Sequence, residues 1–273
     1  MKHIQLEIIA NEYQQEEIIA LLDDFNPTGY EQTDEKLMAY FEEEGFNKNA
    51  VMRVLSGYDC TVNTVEEQNW NAVWEKNFQP VVVEDFCAVR AHFHEPIANV
   101  EHEIIITPKM SFGTGHHATT YMMMAQMRNI DFHNKSVFDF GTGTGILAIL
   151  AEKLGAQSIT AIDVDDWSIE NAKENFERNH CNRITVTLSS QLPQEQFDII
   201  LANINRNVLL AYMNGLAKII HKKGIVLLSG LLVADEADIT KTAEEQGFQL
   251  LQKVEKNGWI SLLLKSSDEP VLN

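Results

Sequence analysis

The sequence is short of cations, with 21 Lys+Arg against 40 Asp+Glu and a formal net charge of −19. Neutralising phosphates requires a lysine- or arginine-rich face, so this imbalance argues against nucleic acid as a direct partner. Cysteine is scarce too. Cys60, Cys87 and Cys181 are odd in number, far apart and without CxxC spacing, which suggests neither a disulfide framework nor a zinc site. No apolar run approaches the roughly 18 residues that span a bilayer. The first ten residues, interrupted by Gln5 and Glu7, fit neither a signal peptide nor a transit sequence. The expectation is a cytoplasmic protein with no membrane partner. Prolines number only six and repeats are absent, while 45% of the residues are hydrophobic, which is the composition of a packed globular chain. A length of 273 residues suits one mid-sized domain plus a smaller one.

The acidic excess is unevenly spread. Residues 1–66 hold 14 Asp+Glu against 4 Lys+Arg, about half of the surplus in a quarter of the chain. Such charge keeps proteins soluble; it also suits a docking module for a basic protein.

Within 1–65 the pattern reads as a strand at 3–10, a helix at 12–24 and a turn at Asn26-Pro27-Thr28-Gly29. Strands near Tyr30 and at 36–43, a helix from the cap Asn47 through Leu55, and a strand at 60–65 follow. This βαββαβ order predicts a small α+β ferredoxin-like domain. Residues 66–107 read as a linker helix followed by β-prone stretches. Its Trp70, Val73, Trp74 and Phe78 recur at helical spacing, as a packing stripe does.

From 108 to 273 strands and helices alternate. Strands are placed at 136–140, 158–162, 184–188, 198–202 and 225–229, which predicts a parallel, doubly wound α/β sheet of Rossmann-like type. Two last strands, 248–254 and 259–264, flank Lys256-Asn257-Gly258, and Asn-Gly there signals an antiparallel hairpin.

The densest chemistry lies at Asp139-Phe140-Gly141-Thr142-Gly143-Thr144-Gly145, between a buried strand and an apolar helix. Glycines in alternation let a ligand lie against the main chain. The spacing is GxGxG; a dinucleotide fold has GxGxxG and aims its helix at a pyrophosphate, a group that S-adenosylmethionine lacks. Twenty-two residues beyond Gly141 a strand ends at Asp163, whose carboxylate suits ribose hydroxyls; its plain alternative is a helix cap, a role open to Asp165 and Asp166. A third strand ends at Asn203, placed to contact a cofactor, hold an amine or cap a helix. Ligands of open α/β sheets bind at this carboxyl edge.

With these features on view, the segment Pro108-Lys109-Met110-Ser111-Phe112-Gly113-Thr114-Gly115-His116-His117-Ala118-Thr119-Thr120 resembles the signature loop of the bacterial ribosomal protein L11 methyltransferases, the PrmA family. The glycine loop, Asp163 and Ala202-Asn203-Ile204 match as well, and the resemblance runs from about 66 to 264. Over the first 65 residues only size and element order fit. The resemblance implies a seven-stranded methyltransferase sheet, S-adenosylmethionine as cofactor with S-adenosylhomocysteine as product, and a small amino-terminal domain that recognises the basic ribosomal protein. Carried over by position, the resemblance implies cofactor contacts at Thr119, Gly141, Gly143, Asp163 and Asn203, with Phe112 as a further candidate. It also implies methylation of lysine and amino-terminal amines. Ile204-Asn205-Arg206-Asn207 is more polar than the family's usual continuation.

His116 and His117 lack the companion ligands of a zinc site, and Met122 to Met124 with Met127 read as a helix face packed on the sheet. Rival readings are a methyltransferase acting on another protein or a small amine, a non-catalytic nucleotide-binding scaffold, and an NAD-dependent oxidoreductase. The last is disfavoured by the loop spacing. Enzymes acting on glutamine or nucleobases resemble one another in an Asn-Pro-Pro-Tyr step, and here Ile204 follows Asn203.

Overall fold

Strand β1 (Lys2–Ile9) alternates side chains between two faces, and Ile4, Leu6 and Ile8 fall on the buried one. Leu37, Ala39 and Phe41 do the same on β3 (Lys36–Glu42). Onto that face pack Ile18 and Leu22 of α1 (Glu12–Leu22), and Val51 of α2 (Lys48–Val54) with Leu55 just past its end. Asn47 caps α2 by accepting from Ala50 N at 3.1 Å. With β2 (Gly29–Gln32) and β4 (Asp59–Glu66) the sheet has the antiparallel order β2-β3-β1-β4, that of a ferredoxin-like sandwich.

These observations come from a computed structural model that describes residues 2–22, 25–33, 35–66, 79–107 and 118–267. Trp70, Val73, Trp74 and Phe78, and the segment holding Phe112, His116 and His117, lie outside them. The chain divides into two units, Met1–Asn77 and Phe78–Asn273.

The second unit begins with β5 (Val81–Val83), β6 (Cys87–Ala91) and β7 (His102–Ile106), a three-stranded sheet in which β6 pairs antiparallel with β5 and parallel with β7. Sequence patterning sets this stretch between the domains. In the fold every residue of β6 is buried, and Cys87, Val89, Ile104 and Ile106 share one core with Met123, Met124 and Met127 of α3 (Ala118–Met127). Burial on both faces is what makes a strand read as continuous rather than alternating.

The main sheet has the order β10-β9-β8-β11-β12-β14-β13. Its strands are β8 (Ser136–Phe140), β9 (Ser158–Asp163), β10 (Ile184–Leu188), β11 (Phe197–Asn203), β12 (Ile220–Leu232), β13 (Phe248–Lys256) and β14 (Trp259–Ser266). The first five in that order are parallel; β14 runs antiparallel to β12 and β13. Alternation sends Val137, Ile159 and Ile199 into one core with α3, α4 (Ile146–Lys153) and α5 (Asp166–Arg178). Phe138, Ile162 and Ile200 enter the opposite core with α6 (Arg206–Ile219) and α7 (Glu236–Glu245). Two helical layers over one parallel sheet give the doubly wound α/β fold. The turn at Asn257 (φ +55°) and Gly258 (φ +78°) puts both central residues in the left-handed region, as a type I′ hairpin requires.

Strand β12 begins at Ile220, ahead of the apolar run that marks it in the sequence. Ile220 leaves α6 in extended conformation and pairs with Phe197 before the hydrophobic run at Ile225 starts, so pairing rather than composition sets the boundary. No helix among the described residues is long and apolar enough to cross a membrane.

Candidate functional site

Sheet register brings the three singled-out strand ends to one level. Phe140 pairs with Ile162 on one side and with Ala202 on the other, so Gly141, Asp163 and Asn203 each follow one residue later at the carboxyl edge. That edge is where an open α/β sheet offers a crevice.

The glycine loop is shaped by its surroundings. Gly141 N and Thr142 N both donate to Ile162 O, at 2.9 and 3.0 Å, folding the chain back over β9. Gly141, Gly143 and Gly145 all have positive φ. At Gly145 a Cβ would overlap the Phe176 ring on α5, so a side chain is barred there by packing as well as by backbone conformation. From the same helix Asn175, fully buried, donates from Nδ2 to Thr144 O at 2.8 Å, while its Oδ1 accepts from Thr107 N at 2.8 Å. One amide thus ties the loop to the strand that leads into the 108–117 segment.

Thr119, Thr120, Gly141, Thr142, Gly143, Thr144, Asn203, Asn205 and Gly230 supply polar and glycine lining to a cavity of about 250 Å³, which Ile146, Leu147, Ile204 and Trp259 also line. Four of the five residues expected from sequence, Thr119, Gly141, Gly143 and Asn203, therefore meet at one cavity. Asp163 is not among the residues that line it, and it holds the loop at the cavity's margin. Its Oδ2 accepts from Gly143 N at 2.8 Å, and its Oδ1 accepts from Val164 N at 2.8 Å and Asp165 N at 3.1 Å. A carboxylate has about four acceptor sites, so one stays open.

The capping roles fall to neighbours. Asp165 caps α5 by accepting from Ser168 N at 2.9 Å, and Asn205 caps α6 by accepting from Val208 N at 3.1 Å. Asn203 is thereby spared for other contacts, and its Nδ2 donates to Thr120 Oγ1 at 3.1 Å. The four methionines of α3 are buried in packing.

Beneath the loop lies a second carboxyl, Asp139, wholly buried on β8. Thr142 Oγ1 donates to its Oδ2 at 2.7 Å, while Oδ1 has no hydrogen-bond partner among the described residues. Burial pushes its pKa up to about 7, against the opposing pull of the Thr142 hydrogen bond, with the nearby Asp163 charge adding to the rise. Between about pH 4 and 7 the folded chain holds a proton that the unfolded chain has lost. This group therefore makes the fold less stable as pH rises through that window. Relative to the parent, Asp139→Asn is expected to gain stability from pH 4 to 7 and then level off. The gain is on the order of 4 kcal/mol, because each tenfold change in proton affinity is worth about 1.4 kcal/mol. Urea titrations of both proteins at pH 4.5, 6 and 7.5 check this; a difference independent of pH would show that Asp139 is ionised throughout.

Sequence patterning gives Trp259 only the start of a strand, and gives Thr120, Asn175 and Gly230 no part in a site. All four act through residues distant in the chain, which no local spacing reports. Trp259 pairs in register with Leu232 and Lys256, and this brings the hairpin end to the cavity.

Comparison with known proteins places this arrangement. The family model described as Ribosomal protein L11 methyltransferase (PrmA) matches residues 10–267. A ribosomal protein L11 methyltransferase of Phocaeicola vulgatus is 36% identical over 276 residues, covering 96% of this chain and 98% of that protein. One from Porphyromonas gingivalis is 46% identical over 200 residues, 71% of this chain and 68% of that protein. The crystal structure of the ribosomal protein L11 methylase from Lactobacillus delbrueckii subsp. bulgaricus superposes with a TM-score of 0.64 at 29% identity, covering 70% of this chain and 98% of that one. The loop, the sheet order and these matches agree: the chain belongs to the ribosomal protein L11 methyltransferase (PrmA) family.

Proposed function

We propose that the cavity at the carboxyl edge of the main sheet binds S-adenosylmethionine, and that the chain methylates lysine and/or amino-terminal amines of ribosomal protein L11 in the cytoplasm. The observation that carries this reading is the meeting of Thr119, Gly141, Gly143 and Asn203 at one cavity, in a chain whose relatives are named for that substrate. The residues fit the cofactor: bare main chain where a nucleoside and an aminoacyl group would lie, and one open acceptor site on Asp163 for a ribose hydroxyl. Asp163 also holds the loop by its bond to Gly143 N.

When bound, the sulfonium would supply an electrophilic methyl group, whose carbon an amine attacks while the neutral thioether S-adenosylhomocysteine leaves. The protein needs no metal for such a step; its work is alignment. The acceptor must present a lone pair. Deprotonating a lysine of pKa about 10.4 at pH 7 costs roughly 4.6 kcal/mol, and an α-amine near 7.8 only about 1 kcal/mol. A lysine acceptor thus needs its pKa lowered by desolvation beside positive charge, which the apolar walls Ile146, Leu147, Ile204 and Trp259 provide.

Residues 1–65 serve in this reading as the substrate-recognition domain, their acidic surplus matching a basic ribosomal protein, with no direct contact to nucleic acid or membrane. The test is incubation with labelled S-adenosylmethionine and purified L11, followed by mass mapping. Label on lysine or the amino terminus is expected from the full chain. Deleting 1–65 is expected to abolish labelling while S-adenosylhomocysteine binding persists. No transfer from the full chain overturns the proposal, and undiminished transfer after the deletion overturns the docking role.

A further inference from the structure

An asparagine amide has a donor end and an acceptor end, and which one faces a ligand depends on the neighbour that holds the other. At Asn203 that neighbour is Thr120. Asn203 Nδ2 donates to Thr120 Oγ1 at 3.1 Å across 83 residues of sequence. Thr120 lies in the first turn of α3, only 4% exposed, and both residues line the cavity. Asn203 Oδ1 carries no hydrogen bond among the described residues and is not sealed in the core.

Chemistry supports this orientation over the reverse. The groups expected in the cavity are a sulfonium and an amine that becomes cationic as it is methylated. An amide oxygen attracts both, and an amide NH2 repels both.

We propose that Thr120 is a positioning residue: by engaging Asn203 Nδ2 it turns Asn203 Oδ1 into the cavity, where it accepts one N–H of the neutral acceptor amine and aims the nitrogen lone pair at the methyl carbon. This rests on the cavity being the methyl-donor site. As the nitrogen–carbon bond forms, the electron pair of the carbon–sulfur bond goes to sulfur, and the surplus proton on nitrogen leaves to water. In this role Thr120 acts through Asn203.

Thr120→Val keeps shape and removes the acceptor; Thr120→Ser keeps the acceptor. With L11 as substrate, Thr120→Val is expected to lower kcat by about 100-fold, the scale of a misplaced reacting group. Thr120→Ser should stay close to the parent, and both variants should keep the parent's Tm, so that the loss in kcat is not one of folding. In an Asn203→Ala background Thr120→Val should add no further loss, because the two side chains act as a unit. Thr120→Ala carries the same expectation should valine disturb the packing. A parental kcat in Thr120→Val, equal losses in valine and serine variants, or losses that multiply on Asn203→Ala would each overturn the proposal. Failure of the parent chain to bind S-adenosylhomocysteine sinks the reading of the cavity; normal binding with an indifferent valine variant sinks the role of Thr120 alone.

Discussion

Asp163→Ala is expected to weaken S-adenosylhomocysteine binding by about 100-fold or more, the loss of one or two hydrogen bonds to a charged group, with little change in thermal stability. The two effects separate because of where the carboxylate sits. The amides it holds belong to Gly143, which is partly exposed, and to Val164 and Asp165, which are exposed, so water replaces the lost acceptor in the free protein. The helix that follows keeps its own cap at Asp165. A ligand on the loop loses more. Its ribose partner goes, and Gly143 is no longer held, so the loop must be ordered at the expense of binding. Isothermal titration with a parallel melting curve reads both. Unchanged affinity would remove Asp163 from the site.

Gly230→Ala is expected to be the most damaging single-methyl change in the second unit. Gly230 sits in β12 at φ +82°, a conformation that L side chains rarely adopt, and an added Cβ would overlap the Ile204 carbonyl oxygen, with its carbon at 2.7 Å and nitrogen at 2.9 Å. Those atoms are main chain and have no rotamer to yield. Backbone strain of this kind costs of order 1–3 kcal/mol before any clash, and relief requires the segment after Asn203 to move away from the sheet. That segment is pinned again on its other side, where the Ile204 side chain fills the space a Cβ on Gly141 would take. The expected outcome is loss of methyl transfer to background together with a Tm lower by several degrees. Gly29→Ala, in open space at the edge of the first unit, serves as control and should be neutral in both assays. Full activity in Gly230→Ala would show that the close approach is not needed to shape the cavity.

The parts of this protein that are legible before folding are those whose signal lies within a few residues. The alternation in β8 and β11, the glycine loop, the acid at the next strand end, Asp163, and the Asn257-Gly258 turn are all short-range patterns. Backbone geometry alone gives each a meaning. The placement of Asn203 at a strand end is equally readable. What it does there is not, since Asn205 rather than Asn203 caps the next helix.

Other features have no local mark. The stretch 81–106 looks like a connector in sequence because its strands are short, yet β6 is buried on both faces and belongs to the core around α3 and α4. Asn175 holds Thr107 and Thr144 together from a helix that reads as merely amphipathic. Strand-end position points Asp163 toward a ligand; in the fold it also clamps the loop through Gly143 N.

By itself, then, the order of residues determined a parallel sheet with a ligand-ready carboxyl edge and which strand ends would meet there, because strand period and turn chemistry depend on neighbours in the chain. The tertiary structure alone decided which way the Asn203 amide faces, why Gly230 has no side chain and what lines the cavity. Those depend on contacts such as Thr120 with Asn203, whose partners are brought within 3.1 Å only after the whole sheet has assembled.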